Sequence, residues 1–268
     1  ILKEKKMTAQ IQPIVADAGL YQSWQLLRAE QSGLRARDAA ARLGVSEGEL
    51  TASRLGVDAV RLRTEWAELL PALGELGYIM ALTRNEHCVH ERKGYYREVS
   101  VMATGAMGLV VSPDIDLRLF MTQWASVFAV AENTERGMQR SIQVFDRQGA
   151  AVHKVYLTAK SEEAAWAPLV ERFRAAEQSA GLDLQPLAER KAPRADAEVD
   201  AAALRADWAE LKDTHHFFAM LKRHDVARTQ ALRLAGREWA EPLAAVELPK
   251  LLEEAGARLE DVVKITIY

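Results

Sequence analysis

The sequence predicts an α+β protein in which helices pack on an antiparallel sheet and in which one structural unit occurs twice. Apolar residues first recur every three to four positions, as in amphipathic helices, and then alternate along a series of short segments separated by turns. Such short turns favour hairpins, and hairpins join antiparallel strands. A second helical stretch then follows and matches the first at a nearly constant offset. The second copy lacks most of its sheet.

The first copy is predicted to run from helices into strands and back to a helix. Leu20 and Trp24 open a stripe of apolar residues that continues to about residue 76. From Gly77 the apolar period changes to two, which indicates strands. The predicted strands are 78–82, 96–102, 108–111, 115–120, 127–130, 141–145 and 151–157. Ser161, followed directly by acidic residues, then begins an apolar-striped helix that is predicted to reach about residue 180.

A polar segment separates the two copies. Residues 183–199 contain Pro186, Pro193, several alanines and a run of charged residues, which is typical of a solvated linker. We therefore predict a first repeat at 13–182, a linker at 183–199 and a second repeat at 200–268. In the second repeat, helical spacing lasts to about Gly256, and only residues 261–268 alternate like a strand.

The evidence for duplication is a set of residue pairs at similar spacing in the two helical stretches. Each match is weak by itself, but a shared offset across the whole set is not expected by chance. The pairs are Leu20 with Leu204, Trp24 with Trp208, Val45 with Val226, Gly56 with Gly236, Pro71 with Pro249, and Gly77 with Gly256.

Composition excludes several classes of protein. There are 35 Lys and Arg residues against 38 Asp and Glu residues, so no overall positive charge favours nucleic acid as a partner. Cys88 is the sole cysteine, which excludes an internal disulfide and a cysteine-rich zinc module. No apolar run reaches the ~20 residues of a membrane span, and the N-terminus lacks the apolar stretch of a signal peptide. We expect a soluble protein of a reducing compartment, without membrane insertion.

The familiar catalytic motifs are absent from the sequence. It has no Gly-x-Gly-x-x-Gly after a strand, no Walker loop, no His-Glu-x-x-His and no Gly-x-Ser-x-Gly. Nucleotide-dependent transfer and the common serine and zinc hydrolases therefore have little support.

The richest cluster of chemical groups lies in segment 213–224. Asp213 or Thr214 is suited to cap a helix, which would place His215 in the first helical turn. There the helix dipole favours the neutral imidazole, which is the form that binds a metal. Positions 215, 218, 219 and 222 share one helix face, so His215 is expected beside Phe218 and Lys222.

This combination suits a haem. A non-covalent haem needs an axial iron ligand, apolar cover for its ring and cations for its propionates, and His215, Phe218 and Lys222 offer these in turn. His216 points about a quarter turn away and could replace His215. The same residues also suit an ordinary polar helix start, an interpretation that spacing alone favours.

Two further motifs have a structural and a functional interpretation. In His87-Cys88-Val89-His90, the two histidines would face opposite sides of a strand, so only Cys88 and His90 could share a metal. Residues 39–50 resemble a helix-turn-helix, but the second helix carries acidic residues that suit a DNA groove poorly. We favour a structural role for both motifs.

Several segments together resemble one family. Residues 213–218 and 228–236, with 97–100, 116–120 and 141–146 in the strand region, are similar to the HemS/ChuS/PhuS family of cytoplasmic haem-trafficking proteins, also called hemin-degrading factors. The similarity is greatest to its PhuS-type members and covers roughly residues 14–256. It implies an internally duplicated α+β fold with haem b held non-covalently between the repeats.

The resemblance also implies roles for individual residues. His215 matches the axial histidine of the family, and Arg118 is the best match to the arginine that approaches haem from the opposite side. His216 matches an auxiliary histidine of PhuS-like members. Family members have a second set of strands after the position of Gly256, and residues 258–268 do not resemble it. The resemblance therefore does not extend to the residues that would close the haem pocket.

Three functions compete at this point. The first is a cytoplasmic carrier that binds haem iron through one axial histidine and delivers the haem to a haem oxygenase. The second is a haem-degrading enzyme, which would need an external reductant because the sequence offers no flavin or nicotinamide site. The third is a haem-modulated regulator that binds DNA through the helix-turn-helix-like stretch.

Overall fold

The computed structural model describes residues 18–85, 88–135, 137–187, 192–213, 216–240, 247–254 and 256. These residues divide into two compact units: those up to Leu187 form the first, and those from Ala192 to Gly256 form the second. The boundary lies inside the segment 183–199, while the predicted limits of the two repeats stay predictions. Within the described ranges, no helix is long and apolar enough to cross a membrane.

The first unit contains five helices in its described part. They are α1 (Ala18–Glu30), α2 (Ala36–Leu43), α3 (Glu47–Ala52), α4 (Trp66–Ala72) and α5 (Trp166–Phe173). Gly44 ends α2 in the left-handed conformation, with φ of 70°. Ser46 then begins α3 with a capping box: its hydroxyl accepts from the Glu49 N–H, and the Glu49 carboxylate accepts from the Ser46 N–H. Two short helices are thereby joined by a tight, fully hydrogen-bonded turn.

Two antiparallel sheets complete the first unit, which confirms the α+β class. The strands are β1 (Ala59–Leu62), β2 (Gly77–Arg84), β3 (Val89–Tyr95), β4 (Ser100–Val101), β5 (Met107–Val111), β6 (Asp116–Phe120), β7 (Trp124–Thr134), β8 (Gly137–Asp146) and β9 (Ala151–Ser161). The larger sheet has the order β1-β7-β8-β9-β2-β3, and the smaller one the order β4-β5-β6. Every neighbouring pair is antiparallel.

Four elements differ from the sequence prediction. Strand β1 (Ala59–Leu62) lies in the stretch predicted to be helical, and its pairing with the distant strand β7 forms it. Of the predicted strand 96–102 only Ser100–Val101 pairs, because Glu98 takes a φ of 45° and interrupts the extended backbone. The edge strand β3 was missed because its charged residues do not alternate with apolar ones. The helix predicted to reach residue 180 ends at Phe173, where the chain turns to pair with the edge of β1.

That pairing uses a side chain as well as backbone. The Ala175 N–H donates to the Arg61 carbonyl at 3.0 Å, and the Arg63 N–H donates to the Phe173 carbonyl at 2.7 Å. The side-chain amide of Gln178 accepts from the Arg61 N–H and donates to the Arg61 carbonyl, as a neighbouring strand would. The edge of β1 is thus covered, which overrides the helical pattern of the sequence after residue 173.

The main core lies between the larger sheet and helices α4 and α5. Leu69, Leu70 and Leu73 pack there against strand residues such as Ile79 and Val144. Each buried aliphatic side chain of this kind contributes roughly 1.5–3 kcal/mol to the free energy of folding. A second cluster on the opposite face of the sheet, around Phe128 and Phe145, receives α3.

A buried ion pair joins α3 to the sheet. The Lys154 ammonium on β9 donates to the Glu47 carboxylate in the first turn of α3, and both side chains are less than 10% exposed. Beside it, Gly48 lies so close to Gly149 that its N–H donates to the Gly149 carbonyl at 2.8 Å, and a Cβ at Gly48 would crowd that backbone. Because a lone buried charge is costly, the pair fixes α3 in this position.

A tyrosine–histidine pair is buried in the same unit. The Tyr96 hydroxyl lies 2.5 Å from His153 Nε2, and the His153 ring stacks on Trp124. Burial lowers the pKa of His153 to about 4, against a smaller opposing effect of the Leu82 backbone. Burial likewise raises the pKa of Tyr96 above its usual range. Both groups are therefore neutral at physiological pH.

The second unit is helical in its described part. Its helices are α6 (Ala201–Ala209), α7 (Phe217–Arg223), α8 (Arg228–Ala235) and α9 (Leu248–Glu254). Leu204, Met220, Leu221 and Ala231 form the centre of its core. The strand predicted at 261–268 lies outside the described residues.

The turn between α7 and α8 repeats the turn between α2 and α3. Asp225 takes a left-handed φ of 47°, as Gly44 does 181 positions earlier. The side-chain carbonyl of Gln230 accepts from the Ala227 N–H at 3.4 Å, as Glu49 does from Ser46. The same turn geometry at the same offset is the structural counterpart of the sequence repeat, and it confirms the predicted duplication.

The burial of His153 predicts a pH dependence of stability. Between pH 6.5 and 4 the unfolded chain binds a proton at this ring and the folded protein does not, so the free energy of unfolding falls as pH falls. Over the whole window the loss is about 3 kcal/mol. Urea unfolding at pH 7 and pH 4 should show this loss in the wild type and not in the double variant His153→Leu, Tyr96→Phe. His90→Gln serves as the control, and equal losses in all three proteins would contradict the prediction.

Candidate functional site

The start of α7 brings together three of the residues predicted to bind a ligand. His216 is the cap residue of α7 and is exposed, Phe218 is 59% exposed, and the Lys222 Nζ lies 5.1 Å from the centre of the Phe218 ring. Phe218 and Lys222 are four residues apart and share an outward face. Met220 and Leu221 point inward and are buried. The helix therefore presents an aromatic ring and a cation on one exposed face, and His216 is exposed at its start.

Asp213 or Thr214 was expected as the cap of the helix that carries His215. The described helix α7 begins at Phe217, and the N–H of His216, the residue before it, donates to the Asp213 carbonyl at 3.0 Å. A helical turn capped at Asp213 would make this hydrogen bond, and the position of the cap stays a prediction. Thr214 and His215 lie outside the described residues, so the assignment of His215 as the metal ligand stays a prediction.

An aromatic cluster packs against Phe217, the first residue of α7. The Phe217 ring lies 4.8 Å from Trp208, which in turn lies 5.7 Å from Trp239. The Arg228 guanidinium covers the other side of Phe217 at 5.7 Å. Phe217 is held by these contacts, so its neighbour Phe218 is directed outward.

The first repeat has no histidine at the matching position. The offset of 181 that relates the two turns places Leu34 and Arg35 opposite the histidine pair 215–216. Helix α2 begins at Ala36 as α7 begins at Phe217, so the frames are equivalent. The two repeats have the same spacing of helices, and only the second carries histidines directly before the matching helix.

Arg118 lies on the exposed face of the smaller sheet in the first unit. Along β6, Asp116, Arg118 and Phe120 point outward, while Leu119 is buried and Leu117 is half-buried. The Arg118 Nη1 donates to the Asp116 Oδ1 at 3.0 Å, and both side chains are about half exposed. The guanidinium is thus held along the strand rather than extended freely into solvent.

Arg118 is surrounded by apolar side chains that the sequence analysis did not single out. The register pairs Arg118 with Leu109 and Phe120 with Met107 across β5, so all four side chains lie on one face. Phe120 is 65% exposed, which is unusual for a phenylalanine. The alternation of residues 116–120 places Phe120 on the same face as Arg118 and could have identified it.

The segment 87–90 leads into the edge strand β3, and its structural role stays a prediction. His87 lies outside the described residues, Cys88 is a half-buried free thiol in a turn, and His90 lies on the edge strand β3. Over the described ranges, no group of three or more His, Cys, Asp or Glu side chains could hold a metal ion.

The second helix of the helix-turn-helix-like segment, α3, is buried in the first unit. Five of the six residues of α3 are buried, because the helix packs on the sheet through Glu47 and Ala52 and against α1 and α2 through Leu50. A recognition helix must expose its side chains to a DNA groove, and α3 does not. The structural interpretation of this motif is confirmed.

Comparison with known proteins gives a family and several relatives. A family model described as the haemin-degrading HemS.ChuX domain matches residues 44–173. The hemin transport protein HmuS of Yersinia pestis is 42% identical over 240 residues, which are 89% of this chain and 68% of HmuS.

Two solved structures are also similar. Holo-PhuS, a heme-binding protein from Pseudomonas aeruginosa, matches with a TM-score of 0.86 and 69% identity over 89% of this chain and 69% of PhuS. ChuS, an E. coli heme oxygenase, matches with a TM-score of 0.74 and 36% identity over 88% of this chain and 68% of ChuS. The chain thus spans about two thirds of the length of each relative.

Two variants of β6 test whether its outward-facing side chains contribute to the stability of the fold. Phe120→Ser removes an exposed ring and should change the free energy of unfolding by less than about 1 kcal/mol. Leu119→Ala on the same strand removes a buried side chain and should cost roughly 2–5 kcal/mol. Urea unfolding of both variants measures the difference. A comparable loss in Phe120→Ser would show that the ring packs within the fold and is not free for a ligand.

Proposed function

The chain belongs to the HemS/ChuS/PhuS family, and from this membership we propose that it is a cytoplasmic haem-binding protein that carries haem b to a haem oxygenase. The observation that carries the proposal is the outward face of α7, where an exposed ring and a cation lie one turn apart, with the exposed His216 at the start of the helix. The relatives named for binding or transporting haem support the same ligand.

The residues of α7 fit the chemistry of a haem. Iron takes a neutral imidazole as axial ligand, and the proposed ligand is His215 with His216 as its substitute. Phe218 offers apolar cover for the ring edge, and Lys222, whose ammonium lies over the Phe218 ring, can turn to a propionate. Haem supplies the iron that is carried; the chain supplies binding, orientation and exchange.

Arg118 is proposed to act on the haem without ligating its iron. A guanidinium stays protonated and is a poor iron ligand, so it would act through a hydrogen bond or through its charge. The apolar side chains of Leu109 and Phe120 beside it suit a porphyrin surface. One strong protein ligand on one side leaves the iron open to a histidine of an acceptor, which suits transfer.

A second candidate function is haem degradation. It is favoured by the similarity to ChuS, which is described as a heme oxygenase. The sequence has no motif for a flavin or nicotinamide, so electrons would have to come from an external reductant. A haem-modulated DNA-binding function has less support, because α3 is buried.

A hemin titration tests the ligand assignment. The wild type should develop a Soret band, and His215→Ala should shift the ferric spectrum and speed haem loss more than His216→Ala. The double variant His215→Ala, His216→Ala should lose haem fastest, because His216 can replace His215 in the single variant. Arg118→Ala should change the spectrum less than either histidine variant.

His90→Ala is the matched control, since His90 lies on an edge strand of the first unit. Spectra and haem release in the double histidine variant that equal those of the wild type would remove this helix from the site.

The fate of the haem separates carrier from oxygenase. The hemin complex is mixed with ascorbate in air, with catalase present to remove peroxide, and the Soret band is followed. A carrier should keep the band and lose it only to an added acceptor such as apomyoglobin. Loss of the band with formation of biliverdin, despite catalase, would favour the enzymatic function.

A further inference from the structure

Helix α7 cannot hold its own position. It has seven residues, and isolated helices below about 12 residues are marginal in water. Its orientation therefore depends on side chains of neighbouring elements. His216, at its start, takes its orientation from that of the helix.

The carboxylate of Asp207 on α6 holds the far end of α7. The Asp207 Oδ2 accepts from the Arg223 Nε at 3.2 Å and Nη2 at 2.9 Å, and it lies 2.8 Å from the His224 Nε2. Arg223 is the last residue of α7 and His224 is its cap. Hydrogen bonds from His224 and Arg223 lower the pKa of the Asp207 carboxyl, so it is ionised at neutral pH.

The residue that follows Asp207 on α6 holds the other end of α7. Trp208 contacts Phe217, the first residue of α7, with ring centres 4.8 Å apart. Two consecutive residues of one helix thus fix both ends of another. The outward face with Phe218 and Lys222 lies between these two contacts.

The first repeat lacks both this carboxylate and the histidines. The offset of 184 that matches Trp24 with Trp208 places Ser23 opposite Asp207, and Ser23 donates to the carbonyl of its own helix. Arg42, which matches Arg223, donates to Gln31 at 2.6 Å instead. Leu43 stands where His224 stands. Of the two repeats, only the second therefore has both the carboxylate and the histidine pair.

We propose that Asp207 is a positioning residue for haem: by holding the end of α7 through Arg223 and His224, it fixes the orientation of the start of that helix, to which the proposed iron ligands are joined. The proposal rests on the proposed haem-binding function. It assigns Asp207 no contact with the haem, and its effect should appear as a faster loss of haem and a changed iron environment.

Asp196 provides a matched control in the same unit. Its carboxylate accepts from the Arg233 Nε at 2.9 Å and Nη2 at 2.7 Å, and from the Gln230 side chain at 3.0 Å. Asp196 thus holds α8 through one arginine and one further partner, as Asp207 holds α7. The two carboxylates are similarly exposed, at 40% and 44%.

The experiment compares Asp207→Asn with Asp196→Asn in the full chain. Hemin complexes are mixed with excess apomyoglobin, and the ferric absorption and electron paramagnetic resonance spectra are recorded beforehand. Asp207→Asn should release haem roughly three- to tenfold faster and populate a second ferric species, because a weakened surface pair permits several orientations of α7. Asp196→Asn should stay within twofold of the wild type, with one ferric species.

Hydrogen exchange of the haem-free proteins gives a readout that does not depend on haem. Asp207→Asn should speed exchange of the amides in 217–223 more than of those in 228–235, and Asp196→Asn should do the reverse. Equal acceleration of haem loss by both variants, or exchange in 217–223 that is unchanged in Asp207→Asn, would overturn the positioning role. A wild type without a Soret band would instead overturn the proposed function, whatever the exchange data show.

Discussion

Short helices depend on tertiary contacts, and this constraint governs the position of nearly every residue discussed above. Helices α2, α3, α7 and α8 have six to eight residues each, too few to be stable alone. Each is therefore fixed by side chains that reach across to it. In the first unit the Glu47–Lys154 pair fixes α3 on the sheet, and in the second Asp207 and Asp196 fix α7 and α8. Polar pairs of this kind have directional geometry, so they define an orientation where apolar contact alone would allow several.

The two repeats use one helical frame for different purposes. In the first, the face of α3 formed by residues 47, 48, 51 and 52 is buried against the sheet. The offset of 181 makes residues 228, 229, 232 and 233 of α8 its counterpart, and these side chains are exposed in the second unit. The first repeat thus uses its turn and capping box to support a sheet. The second repeat keeps the same turn at Asp225 and carries the histidines. The spacing of the helices is therefore recognisable in both repeats, although the predicted ligand residues occur in only one.

The sequence predicted those features that follow from local periodicity and missed those that depend on a distant partner. Alternation identified most strands of the larger sheet, and the spacing of Trp24 and Trp208 identified the repeat. The edge strand β3 was missed because its charged side chains avoid the apolar pattern, and α5 was predicted too long because Gln178 pairs with Arg61 about 117 positions earlier in the chain. At the site, the shared face of Phe218 and Lys222 follows from helical spacing. The role of Asp207 does not, since nothing local relates it to Arg223 sixteen positions later.

Arg118 in the first unit and Lys222 in the second, the two cations predicted to contact haem, each have a partner on their own element. Arg118 bonds to Asp116 two residues away on β6, and Lys222 lies over Phe218 one turn away on α7. A ligand with propionates must draw these cations from existing partners, so its net affinity is lower than that of a site with free charges. The backbone that carries Phe120 and Phe218 is anchored by buried neighbours, so little ordering of the backbone is needed on binding. Preorganised apolar contact together with replaceable charge contacts is the combination that a reversible carrier requires.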